Sequence, residues 1–459
     1  MSRDSSEVAA LSKTAIVRQA LRITAHLGEA QLSLERAASY AGVDPATAQA
    51  IFQDTPGLIR ELNDHLNSRL RALCTEEDAR LPEGACAVER LRANMNSYFR
   101  FGQEEPAGFA AFIALRWDGE PAIQFEESPN QAEWQWSYAE MLRRTRAVLV
   151  EYGAPRSVDL LNRYSLTALA VVHGASHMCV FGAARHLAPA GRRHTMTRVF
   201  DVFITGLEYE LDGHTQCCIE PVNFRPSQAF SPVPPARQLP RSTDQERTVA
   251  LYRGGVELLA ASTTFDVSIE EAAEQAGLDP AEARRLVDGD NRFDAQIERF
   301  LDHQCREATE VFLSNLRADA SPFNRIKALG AGYLGLALSD PAGFLAMSCI
   351  GSGSIIPSTF GLDGKAERLG PTLRFLVEQV RDAMQDHPEA RNTWALYTYS
   401  MALWCAAHGM AHQFSVGSFR HLSLEEKLRS SSHIMDLALI GVAKSIGLEI
   451  PATACHRHD

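Results

Sequence analysis

The chain has 459 residues, 45% hydrophobic and 22% charged, and a net charge of -12 from 45 Lys and Arg against 57 Asp and Glu. That is globular composition with length for two or three domains, and the acidic balance excludes a basic, sequence-indifferent nucleic-acid coat. The opening MSRDSSEVAA lacks the apolar core of a secretory signal, and ALAVVHGASHMCVFG, the most apolar run, is broken by histidines and glycines; with nine irregularly spaced cysteines, a soluble cytoplasmic protein is expected.

In chain order, apolar residues first recur at helical spacing in Ile16, Ala20, Ile23 and Leu27. A second helix is predicted from Ser33, a favoured N-cap residue, through Leu34, Ala37 and Ala38 to a tight turn at Ala41-Gly42-Val43. Asp44-Pro45 then starts a short third helix from 45 to about 53, with Asp as cap and Pro at the first helical position. Helix, glycine turn and capped helix within about 20 residues is helix-turn-helix spacing, and the third helix is the one offered to a major groove. The same grammar returns 235 residues on. SLERAASYAGVDPA at 33–46 matches SIEEAAEQAGLDPA at 268–281 in nine of fourteen positions, and Ser268 with Glu271 completes a capping box. PAGF at 106–109 returns at 341–344, and HGASHMCVFGAARHL at 173–187 returns as HGMAHQFSVGSFRHL at 408–422, both at the same offset. An ungapped offset over some 150 residues means two copies of one domain.

The predicted organisation is a helix-turn-helix unit at 1–62, a helical body at 63–213, a Pro-rich linker at 214–243, a second helix-turn-helix unit at 244–297 and a second body at 298–459. The linker holds Pro221, Pro226, Pro232, Pro234, Pro235 and Pro240, which favour extended, semi-rigid chain. It serves either as a tether of set length or as a plain spacer.

The residues Leu34, Ala37, Ala38, Ala41-Gly42-Val43, Pro45, Thr47 and Phe52, with Ile269, Ala272, Ala273, Ala276-Gly277-Leu278 and Pro280 in the second copy, resemble the TetR family of bacterial regulators. His173-Gly174 and His408-Gly409 are similar to the His-Gly element in the ligand-binding half of one TetR subgroup, although Val172 and Ala407 stand where a Trp usually precedes it. The resemblance implies an all-α chain: twice a three-helix DNA-binding unit and a ligand-sensing helical body, paired two-fold through the last two helices. Those helices fall at 158–186, 194–211, 392–421 and 424–446. A tandem chain can satisfy the pairing internally, as a monomeric pseudo-dimer closed by a four-helix bundle.

Two expectations about DNA compete. Pro45, Ala46, Thr47, Gln49 and Thr55, with Ala281, Arg284 and Arg285 in copy two, are the candidate contacts to a double-stranded DNA operator. Against them, the Tyr and Lys that meet phosphates in the family pattern are replaced by Gln49 and Thr55, and by Arg284 and Asp290. Residues 13–62 carry five cations and five acids, and residues 248–297 carry four arginines and ten acids, a net of -6, which weakens phosphate binding. The chain is expected to be a ligand-responsive repressor-like regulator, or else a degenerate relative acting as a small-molecule sensor or interaction partner.

For the ligand, assumed small and amphipathic or hydrophobic, the candidates are Phe109, Phe112, Arg116 and Trp117 in FAAFIALRW and Phe344 and Met347 in the matching FLAMSCIGS. Arg116 beside Trp117 suggests a copy-one pocket for an amphipathic anion; equally, the aromatics serve as core and the arginine as surface. His173 and His177, and His408 and His412, lie four apart on one helix face. They are either ligand contacts or packed, locally hydrogen-bonded imidazoles, since the inner Glu of HExxH and a third ligand are missing. With no Gly-rich phosphate loop, GxSxG elbow or CxxC pair, no enzyme, metal or cofactor is expected. Cys217-Cys218 is either an oxidant sensor or a pair of inert thiols.

Overall fold

The structure, a computed structural model, describes residues 2–27, 31–115, 136–212, 230–261, 267–287, 292–350, 370–388 and 392–448, with the backbone alone at 2–7, 27 and 349–350. Arg116, Trp117, Cys217, Cys218 and Asp290 lie outside the described residues. All regular structure among the described residues is helical, and no described helix is long and apolar enough to cross a membrane.

The first nine helices are α1 (Ser2–Leu27), α2 (Leu34–Ala41), α3 (Pro45–Phe52), α4 (Thr55–Asp78), α5 (Ala87–Glu104), α6 (Pro106–Ala114), α7 (Trp136–Glu151), α8 (Val158–Val180) and α9 (Pro189–Leu211). Nine more follow: α10 (Asp244–Ala261), α11 (Ile269–Ala276), α12 (Pro280–Leu286), α13 (Phe293–Leu313), α14 (Pro322–Ser339), α15 (Pro341–Ile350), α16 (Pro371–Ala383), α17 (Thr393–Ser415) and α18 (Leu424–Ser445). From α2 with α11 through α9 with α18, most helices start 235 residues after their counterpart. The two long segments expected at 158–186 and 392–421 end early, at Val180 and Ser415. A 3-10 turn at Ala183–His186 follows the first, and Pro189 begins the next helix; at Gly182 and Gly417 a Cβ would crowd Met178 and Gln413 of the preceding helix end.

The chain forms two compact units, one of residues up to Arg144 and the other from Thr145 onward, apart from a few residues around Ala261. In the first, α1 packs on α2, α3, α4 and α6, and α4 runs along α5. Its buried polar knot is Arg144, 3% exposed, which donates to both Asp78 oxygens and to Glu140. In the second unit, α8 packs against α17 and α9 against α18, while α14 sits between α13, α16 and α17. The described end of the Pro-rich stretch is held in place within this unit. Val233 N–H donates to the Ser339 carbonyl at 2.9 Å, fully buried Ala236 donates to Glu257, and Arg237 and Arg241 reach carbonyls of Gln275 and Gly277.

Candidate functional site

The helix-turn-helix of the first unit forms as its caps dictate. Ser33 accepts from Arg36 N–H, Gly42 takes the left-handed turn at φ 68°, and Asp44 accepts from Thr47 N–H. These caps each contribute about 1 kcal/mol. They also commit two of the candidate DNA contacts inward: the Thr47 hydroxyl donates to Asp44, and the Thr55 hydroxyl accepts from Leu34 N–H at 3.0 Å. Pro45, Ala46, Gln49 and Ala50 form the exposed side of α3, which has no cation. In the second unit, Ser268 and Glu271 make the capping box, Gly277 turns at φ 67° and Asp279 caps α12. Ala281, Arg284 and Arg285 are exposed, but Arg284 is paired with Glu270 at 2.6 Å, and Arg247 holds Glu282 at 2.9 Å. Exposed pairs of this kind are individually weak, near 0–1 kcal/mol, so a phosphate could displace them.

The last two helices of each half meet in one seam, and the four histidines lie in it. His173 Nε2 faces His412 Nδ1 at 3.1 Å, and the counterpart contact, His408 Nε2 to His177 Nδ1, is 2.9 Å. The reciprocity extends to the backbone. A Cβ on Gly174 would be driven into the Cys405 carbonyl, and one on Gly409 into the Ala170 carbonyl; positions 170 and 405, and 174 and 409, are counterparts. One turn of the same logic recurs between α9 and α18, where Gly206 abuts the Leu437 carbonyl and Gly441 the Val202 carbonyl. The glycine of each His-Gly element is therefore what lets α8 and α17 approach backbone to backbone, and the histidines seal the crossing. Of these, Gly206 and Gly441 lie in no local motif that marks a crossing.

All four imidazoles are at most 4% exposed. Burial, then the neighbouring imidazoles, holds His173 and His177 well below the usual imidazole range; burial pushes His408 down to about 3 and His412 to about 4. The Tyr333 phenol, kept protonated by burial, meets His408 Nδ1 at 3.0 Å. If it donates there, His408 carries its proton on Nε2 and passes a hydrogen bond to His177. Among the described residues, no group of three or more His, Cys, Asp or Glu is arranged to hold a metal ion.

Because these histidines titrate lower folded than unfolded, the unfolded chain binds more protons below its imidazole pKa of about 6.5. Seam stability is thus full above that pH and lost as pH falls toward 4, by up to about 1.4 kcal/mol per pH unit for each imidazole. Urea unfolding between pH 7.5 and 4.5 reads this slope. A His173→Gln, His412→Gln protein is expected to show a shallower slope, and an unchanged one would mean the pair does not stay neutral in the fold.

Beside the seam, in the second unit, lies a cavity of about 580 Å³. Its wall is mainly apolar, with Leu301, Ile326, Leu329, Met347, Leu373 and Leu403 among the lining, and Met178, Gly182 and Ala183 from the end of α8 close one side. Of the sequence candidates it takes Met347 and His408; Phe344 lies behind them, 5.2 Å from the His408 ring and 5.5 Å from Tyr333. Phe109 and Phe112 lie elsewhere, in the first unit. They pack edge to face on Tyr98 and Phe101 at 5.8–6.4 Å, a filled aromatic core. Comparing counterparts explains the space. Met95, Phe112 and Tyr138, all buried, correspond to Gly330, Met347 and Leu373, each of which lines the cavity. The signal was present in the sequence, but only when the second copy is subtracted from the first.

A buried ion pair joins this body to the helix-turn-helix unit beside it. Arg253 of α10, 5% exposed, donates to Asp340, 0% exposed, at the corner between α14 and α15. Asp340 also accepts from Gly343 N–H at the start of α15, the helix that carries Met347. Glu257, 3.5 Å from Arg253, accepts from Gln275 of α11. No protein-family model matches the chain, and no curated protein is found to be similar to it.

Proposed function

We propose that the protein is a ligand-responsive, non-enzymatic regulator of TetR type, a single chain whose two copies pair as a dimer would, with a double-stranded DNA operator as its target. The observation that carries this reading is the placement of the cavity. Its wall combines α8 of the first copy with α13–α18 of the second, so an occupant bears on the seam between copies. From Met347 on α15, movement has a packed route to the core of the second helix-turn-helix, since Met347 packs against the cluster of Ala250, Leu251, Ala272 and Ala276. Ligand would then act by favouring one arrangement of the helical body, a population shift.

Support for DNA as the target is the exposure of Gln49 on α3 and of Arg284 and Arg285 on α12, residue types that read base edges or phosphates. A second reading is favoured by a separate observation: α3 has no cation, and Arg284 is held by Glu270. In it the helix-turn-helix units serve as scaffold and the sensor acts on another protein. A mobility-shift titration against the DNA upstream of its own gene separates the two. A complex that forms at ~50 mM salt and weakens steeply by ~200 mM supports operator binding; no complex at micromolar protein supports the second reading.

A further inference from the structure

We propose that the cavity of the second unit takes an amphipathic carboxylate, its apolar chain inside and its carboxylate on Arg299 and Arg306 at the mouth. The inference rests on the reading of that cavity as the ligand site. Both arginines are on α13, seven residues apart and so on one face of the helix. Both line the cavity, both are exposed, and neither makes an ion pair with the described residues. The acids beside them are occupied or muted. Asp302 accepts from Thr372 N–H at 3.4 Å at the start of α16. Burial, then the nearby Asp302 and Asp294, raises the Glu298 carboxyl above its ordinary range. His303 lines the same rim, with its Nε2 3.4 Å from Glu307. The rest of the wall is mainly apolar and includes Leu329, Leu376, Trp404 and Met435. A volume of about 580 Å³ lies within the range of small-molecule sites. A guanidinium pair at the entrance of an apolar chamber favours one ligand shape, an aliphatic body ending in a planar anion. Arg116 and Trp117 of the first copy are replaced by Gly351 and Ser352 in the second, where the cations are instead Arg299 and Arg306 of α13.

Dodecanoate and its neutral analogue dodecanol, both below their aggregation limits, are the probes, with intrinsic tryptophan fluorescence, to which Trp404 of the cavity wall contributes, and calorimetry as readouts on the full chain. Dodecanoate is expected to bind at least ~10-fold tighter than dodecanol, the scale of a charge-assisted hydrogen-bond pair. In an Arg299→Gln, Arg306→Gln protein that preference disappears while dodecanol affinity stays. In a Met347→Phe, Leu373→Tyr protein, which restores the side chains of the first copy, neither probe binds. Equal affinities for acid and alcohol in the parent chain overturn the carboxylate assignment and leave the cavity as an apolar site. Failure of both probes to bind overturns the assignment together with the reading of the cavity as a ligand site for such molecules.

Discussion

Replacing Gly409 with valine is expected to destroy the seam, at more than about 4 kcal/mol, the range in which single substitutions become exceptional. The reason is geometric. The added Cβ would meet the Ala170 carbonyl and lie 2.7 Å from the Gly174 backbone nitrogen. These are backbone atoms of the facing helix, so no rotamer change relieves the clash, and α8 and α17 must separate. Separation breaks the His173–His412 and His408–His177 hydrogen bonds together and uncovers four imidazoles held neutral by burial. Gly174→Val should behave alike, because its Cβ would enter the Cys405 carbonyl. Gly153→Ala supplies the comparison. Nothing lies within 4 Å of its added Cβ, and only its left-handed backbone, φ 65°, opposes the change, for about 1–2 kcal/mol. Denaturant unfolding of the three proteins reads the difference, and a Gly409→Val protein as stable as Gly153→Ala would show that the helices do not cross at these glycines.

The second large effect is expected at Arg253. Converting it to methionine leaves Asp340, with no exposed surface, without its guanidinium. Removing one member of a buried pair costs about 3–5 kcal/mol, because the other charge stays desolvated. Adding Asp340→Asn should return much of that loss, since the amide is neutral and its oxygen can still accept from Gly343 N–H at the start of α15. Arg18, the counterpart of Arg253 in the first copy, is exposed, so Arg18→Met is expected within about 0.5 kcal/mol of the parent. Thermal unfolding of the four proteins gives the ranking. If Arg253→Met and Arg18→Met were equally mild, the buried pair would not couple α10 to the body. The same pair would matter to regulation, because Asp340 adjoins the helix that carries Met347 of the cavity wall.

The sequence was most legible where the physics is local. Ser33, Asp44, Ser268 and Asp279 announce helix starts by side chains that cap their own amides, and Gly42 and Gly277 announce turns only glycine adopts easily. The offset of 235 then carries one copy's elements onto the other. Less legible was anything that depends on two segments meeting. Arg253 and Asp340 are 87 residues apart, and nothing in either neighbourhood marks the pair. The His-Gly elements were visible, but they point equally to a ligand or to packing until the facing helix is known. Gly206 and Gly441 sit in ITGLEY and LIGVAK, sequences with too little in common to flag a shared crossing. The cavity is a deficit of side-chain volume, and a deficit has no motif. It appears only as Met95, Phe112 and Tyr138 giving way to Gly330, Met347 and Leu373.

The candidate DNA contacts show the opposite situation. Their positions were readable from the caps and the turn, yet Thr47 and Thr55 are engaged by Asp44 and Leu34 within the fold. A polar residue at a groove-facing position can be there to close the unit itself, and which role holds depends on partners that lie outside the motif.

If the two halves satisfy each other's seam within one chain, no second molecule is needed to close it. Multi-angle light scattering at low micromolar concentration tests this most directly: a particle of 50.5 kDa is predicted, and a particle of twice that mass would contradict it.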